Sequence, residues 1–153
     1  MSLHADPGSP FTQVTGIGYR AMSPGDPLTG SRAPGRWGPS GILYLSASQE
    51  GVAAAMQAHG GLGGRRITSL RIDARKIVDL RRPPVGLDTL LGACDWRAAL
   101  AAGDEPPSWA LARQIEAMGA DGLIDPSRKA PGLWHLALFR WNRTGAPSVI
   151  AVD

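Results

Sequence analysis

Hydrophobic positions in this chain fall into short segments, separated by glycine and proline clusters at 7–10, 24–41, 60–64, 83–86, 103–107, 119–132 and 145–147. Such clusters punctuate a chain into turns and loops. Between them the period alternates between that of a strand and that of a helix. Ile17-Gly18-Tyr19-Arg20-Ala21-Met22 predicts a strand near 17–22, and Ile42-Leu43-Tyr44-Leu45-Ser46 a second at 42–46. Ser46 and Gln49 have the spacing of a capping box, and Glu50 follows in the first turn, where the helix dipole favours an acid. These signals predict a helix to about residue 58, stopped by His59-Gly60-Gly61. Val52, Ala55, Met56 and His59 fall on one face of it.

The second half repeats the alternation. Ile67, Leu70 and Ile72 lie in a strand-like segment that Ile77-Val78-Asp79-Leu80 continues. Leu87, Leu90, Leu91, Cys94 and Ala98 have helical spacing over 87–102. A second amphipathic helix is predicted over 107–118, with Pro107 in its first turn, Leu111, Ile115 and Met118 inward, and Gly119 closing it. Residues 133–141 alternate as a strand, and Asn142 to Pro147 form a predicted hairpin turn into Ser148–Val152. Strands, then helices, then strands, without a regular βαβ rhythm, predict an α+β fold with mixed or antiparallel sheets and short flanking helices. One domain spans 1–153, with residues 1–14 expected as a flexible N-terminal segment.

Composition narrows the functional classes. A chain of 153 residues, 43% hydrophobic and 19% charged, buries its own core and is not a disordered type. Its net charge is +3, and its only lysines are Lys76 and Lys129. Arginine suits bidentate recognition of phosphate or carboxylate, although most surface arginines are simply solvated. A single cysteine, Cys94, excludes an internal disulfide and a cysteine-based zinc site, and its apolar context predicts a small core residue. His4, His59 and His135 lack metal-ligand spacing, so no metal site is expected. No segment approaches the roughly 20 apolar residues of a membrane span. The opening MSLHADPGSP has no apolar core of a secretion signal. A cytoplasmic location away from membranes is the expectation.

The long loop at 23–41 is where chemistry is first expected, because unstructured loops beyond about 12–15 residues are usually functional or disordered. It carries Arg32, Arg36 and Trp37 among glycines that admit close approach of a ligand. Gly60-Gly61-Leu62-Gly63-Gly64 lacks the lysine and hydroxyl of a P-loop and reads as a helix stop. If the two early strands are neighbours, Arg20, Arg36, Tyr44 and Ser127 converge on a pocket suited to a phosphorylated, ring-bearing ligand. The equal alternative is that the arginines brace the loop. The basic pairs Arg65-Arg66 and Arg81-Arg82 lack the interleaved aromatics of a nucleic-acid surface.

Tyr19-Arg20, Gly35-Arg36-Trp37, Gly41, Leu43-Tyr44-Leu45-Ser46 and Ser48, followed by Gly122-Leu123 with Pro126-Ser127 and Leu136 to Phe139, resemble the RES-domain toxins over about residues 17–140. The resemblance implies an ADP-ribosyltransferase-like fold and NAD as substrate. It also implies a toxin restrained by an Xre/ParS-type antitoxin, which cleaves NAD or transfers ADP-ribose to a protein acceptor. By position, Arg20 and Arg36 would hold phosphates, Tyr44 would face nicotinamide, and Trp37 and Ser127 would line the pocket, with Arg20 and Tyr44 the catalytic pair. One departure stands out. Where the family pattern has a glutamate eleven residues after the tyrosine, this chain has Ala55. Glu50 points about 140° away on the same helix. Asp73, Asp79, Asp121 and Asp125 are the acids that could enter from elsewhere. The missing acid leaves an alternative reading, a catalytically weakened module that binds a nucleotide or its antitoxin.

Overall fold

The computed structural model describes residues 1–57 and 60–152. Its elements run β1 (Ser2–Ala5), β2 (Thr12–Met22), β3 (Leu43–Ser46), α1 (Gln49–Met56), β4 (Arg66–Asp79), α2 (Trp96–Ala101), α3 (Pro107–Ala117), β5 (Gly122–Pro126), β6 (Trp134–Leu138) and β7 (Ser148–Ala151). The α+β expectation holds. β2 pairs with β3 at Tyr19–Ser46, β3 with β6, and β6 with β5, all antiparallel. β5 lies parallel to β4, and β4 returns antiparallel along β2. These pairings close β2, β3, β6, β5 and β4 into a ring, while β1 lies on β2 and β7 on β4.

Period-two alternation divides the side chains between two cores. Leu43, Leu45, Ile72, Ile77, Ile124, Leu136 and Leu138 pack together on one face. The intervening Val78, Leu123 and Ala137 turn the other way, against Trp37 and against Leu111, Ala112 and Ile115 of α3. Tyr44 lies at the border of that second cluster. Its face therefore continues along each strand into Ser46, Asp125 and His135, where apolar residues give way to polar ones.

Several expectations needed correction. Residues 2–5, expected within a flexible segment, form β1, in register with Thr12–Thr15. β2 starts at Thr12 rather than near 17, whereas the strand-like pattern that continues into 77–80 does form one 14-residue strand. The helix-capping serine is Ser48, whose Oγ accepts the Gly51 N–H at 3.0 Å. Ser46 is instead held by a histidine. Helix α1 ends at Met56 with Gln57 as its cap, and Ala58 and His59 lie outside the described residues. The helix predicted over 87–102 divides into a 3-10 turn at Thr89–Ala93 and the short α2, capped by Asp95. Cys94 falls between them in extended backbone, half-buried rather than in the core. Finally, β7 does not form a hairpin with β6. Both edges of β6 are already taken by β3 and β5, so the chain crosses to the open edge of β4.

Candidate active site

A cleft of about 570 Å³ opens where the polar ends of β2, β3, β5 and β6 meet the 23–41 loop, α1 and α2. That volume is within the range of small-molecule sites. Arg20, Arg36, Trp37, Tyr44 and Ser127, separated by up to 107 positions in sequence, all line it. Ala55 and Met56 of α1 line it too.

The loop is tightly fastened. Arg20 Nη1 donates to the carbonyls of Pro27 at 2.8 Å and Thr29 at 2.9 Å. Arg36 Nη1 donates to Gly92 and Cys94 at 3.2 and 3.1 Å. Trp141 Nε1 donates to the Leu28 carbonyl, and from α3 Trp109 Nε1 donates to Gly35 and Ser108 Oγ to Arg36. The bonds show both arginines bracing the loop. One nitrogen of each braces the loop, while the remaining guanidinium nitrogens have no protein partner among the described residues. Burial lowers the pKa of both groups, yet a guanidinium remains charged at any physiological pH.

Tyr44 rises beside Gly35. A Cβ there would stand 2.7 Å from the Tyr44 hydroxyl, so glycine is what lets the ring approach. Its Oη accepts the Trp37 N–H at 3.2 Å, and burial pushes the phenol up to about 12. It stays protonated near neutrality and can act only as a neutral hydrogen-bonding group. Trp37 itself is 3% exposed and sits in the core, its Nε1–H donating to Asp125 Oδ2 at 3.3 Å. It is a wall that aims a carboxylate, not an open stacking surface. Ser127 Oγ accepts the Ala130 N–H at 3.1 Å, fixing the turn after β5 at the cleft edge.

Of the four candidate acids only Asp125 lines the cleft. Asp79 is held bidentately by Arg81, whose guanidinium also covers the Trp134 ring, and Asp121 pairs with Arg140 at 2.5 Å. Asp73 is exposed on β4. Asp125 is not a free charge either. Arg128 Nη1 donates to both of its oxygens, at 2.9 and 3.0 Å, while Nη2 holds the Gly92 carbonyl at 2.9 Å. Asp95 also lines the cleft but caps α2 through the Ala98 N–H.

His135, Ser46 and Arg128 were missed as site residues from sequence, and Asp125 was only one of four acids offered without a reason to choose it. The strand registers assemble His135, Ser46 and Asp125. Tyr19 faces Ser46, Ser46 faces His135, and His135 faces Asp125, giving one row of four polar side chains across β2, β3, β6 and β5. Ser46 Oγ lies 2.8 Å from His135 Nδ1. The available signal was the polar ends of LYLS and WHLAL, which become meaningful only once β3 and β6 are known to pair. Burial is the main cause lowering the His135 pKa below 6.5, with Arg128 adding to it and Asp125 opposing. A histidine whose folded pKa is lowered binds fewer protons than in the unfolded chain, so its contribution to stability is present above about pH 6.5 and lost as pH falls towards the lowered value. His135→Gln is expected to flatten the change in melting temperature between pH 7 and pH 5, as read by thermal denaturation at each pH.

The closed α+β sheet with an arginine- and tyrosine-lined cleft at its polar rim defines the class of protein structurally. Residues 11–153 match the RES domain, and the chain belongs to the RES-domain family. One chain of the crystal structure of the M. tuberculosis MbcT–MbcA toxin–antitoxin complex shares the fold, with a TM-score of 0.57 at 18% identity over 92% of this chain and 86% of that one. No curated protein matches the sequence. Among the described residues no helix is long and apolar enough to cross a membrane.

Proposed function

We propose that this protein is the toxin of a toxin–antitoxin pair and that it acts on NAD, cleaving the nicotinamide–ribose bond or passing ADP-ribose to a protein acceptor. The observation that carries the reading is the gathering of Arg20, Arg36, Tyr44 and Ser127 around one cleft from four separate parts of the chain. RES-domain membership and the fold shared with a chain of a toxin–antitoxin complex support the toxin role and an antitoxin partner, here taken to be of the Xre/ParS type. The cleft fits a dinucleotide in kind. The free nitrogens of Arg20 and Arg36 suit a pyrophosphate, to which charge-assisted hydrogen bonds are strong. The half-exposed Trp96 and the edge of Tyr44 give apolar surface for rings.

NAD supplies a glycosidic bond whose rupture develops positive charge on the ribose. The protein's part is to clamp the phosphates, seat the nicotinamide end beside Tyr44, and present a polar group from the row at His135. Calorimetric titration should give saturable NAD binding, weakened about tenfold in Arg36→Lys through loss of a charge-assisted bond. Absence of saturable binding in the unaltered protein overturns the NAD reading. Ala55 favours one second reading, a binding module of the same fold with little turnover. NAD that binds at Arg20 and Arg36 but is not consumed would support it.

A further inference from the structure

We infer that His135 is the general base of this cleft, with Ser46 as its positioning residue and water as the group it activates. The inference rests on the NAD reading above. Three geometric facts lead to it. The His135 ring lines the cleft at the centre of the polar row, with Nδ1 held 2.8 Å from Ser46 Oγ. Nε2 has no protein partner among the described residues, and no buried side-chain nitrogen or oxygen there is left without one, so Nε2 is open to the cleft. Ser46 is 4% exposed, too enclosed to reach a substrate itself but well placed to fix the ring.

The base requires the tautomer in which Nδ1 carries the proton and donates it to Ser46 Oγ, leaving the lone pair on Nε2. This is the orienting role a carboxylate fills in serine hydrolases, transferred here to a hydroxyl. The charged groups facing the ring are Asp125 of β5 and Arg128 just beyond it, already paired to each other at 2.9 Å. Their opposite charges act on the ring in opposite senses, and burial, the largest cause, favours its neutral form. The row thus offers a base in a cleft where position 55 offers none and where the one buried carboxylate is neutralised by Arg128.

The step balances as a hydrolysis. The water oxygen bonds to the anomeric carbon of the nicotinamide ribose as the carbon–nitrogen bond breaks. Nicotinamide leaves with that bond's electron pair. One water proton passes to His135 Nε2 and then to solvent, and ADP-ribose is released.

The test measures NAD consumption and free ADP-ribose from pH 5 to 8, NAD affinity by calorimetry, and the His135 ring titration by NMR. The unaltered protein should lose turnover on an acid limb below pH 6.5 that coincides with the ring titration. His135→Gln should lower kcat by on the order of 100-fold and abolish that limb, with NAD affinity changed less than about threefold. Ser46→Ala should lower kcat less and shift the limb. A pH profile of the unaltered protein without an acid limb overturns the inference and needs no variant. So does a His135→Gln protein that consumes NAD at the original rate while the unaltered protein turns over normally, or an unaltered protein that binds NAD without consuming it. If the unaltered protein neither binds nor consumes NAD, the NAD reading fails first and the base fails with it.

Discussion

On the proposed NAD activity, Ala55→Glu is expected to raise NAD consumption by on the order of 100-fold. Ala55 lies exposed on α1 where that helix borders the cleft, so a longer side chain there has room to extend into it. The charge developing on ribose would meet a carboxylate where the present surface offers only a methyl group and the neighbouring Met56. Asp125 cannot fill this role, because Arg128 and Trp37 already occupy its oxygens. Nicotinamide release from both proteins, with affinity measured alongside, checks the expectation. An unchanged rate at unchanged affinity would mean that the cleft stabilises the ribose cation without an acid on α1.

Gly122→Ala is expected to be the most damaging small substitution in the molecule. The added methyl would overlap the Ala137 carbonyl oxygen on the adjoining strand and crowd Leu138 Cδ2 at 3.0 Å. Neither strand can step aside, since β5 is paired to β4 and β6, and β6 to β3. Overpacking against fixed backbone costs about 3 kcal/mol, and in a domain of this size that lowers the melting temperature by roughly 10 °C. A thermal melt of Gly122→Ala beside Gly132→Ala distinguishes this clash from a general glycine effect. Gly132 would present its Cβ to open space, leaving only its backbone conformation to oppose the change.

Long-period signals were legible in the sequence. α3 and its inward Leu111 and Ile115 appear as predicted, as do β3 and the convergence of Arg20, Arg36, Tyr44 and Ser127 on one cleft. What escaped depends on partners distant along the chain. β5 is only five residues, buried over Gly122–Asp125 and ended by Pro126, so it has neither alternation nor length to announce it. The apolar spacing at 87–98 resembles a helix face, but Leu90 is 82% exposed, and the spacing arises from a turn that packs against α3 at Gly92. Ser46 satisfied a local capping pattern but was committed elsewhere, 89 residues away, to His135. The polar row at the heart of the cleft was invisible for the same reason. Each of its members is an ordinary residue until the strand registers align them.

The ring of strands also bears on how the protein behaves when it is abundant. Each of β2, β3, β6, β5 and β4 has neighbours on both sides, whereas β1 and β7, four residues each, pair on one side only. Short outer strands are poor templates for edge-to-edge stacking. The folded protein should therefore resist fibril growth, whereas refolding should be slow, because most of its strand pairs join distant parts of the chain. The hazard of aggregation falls in the interval before the ring closes.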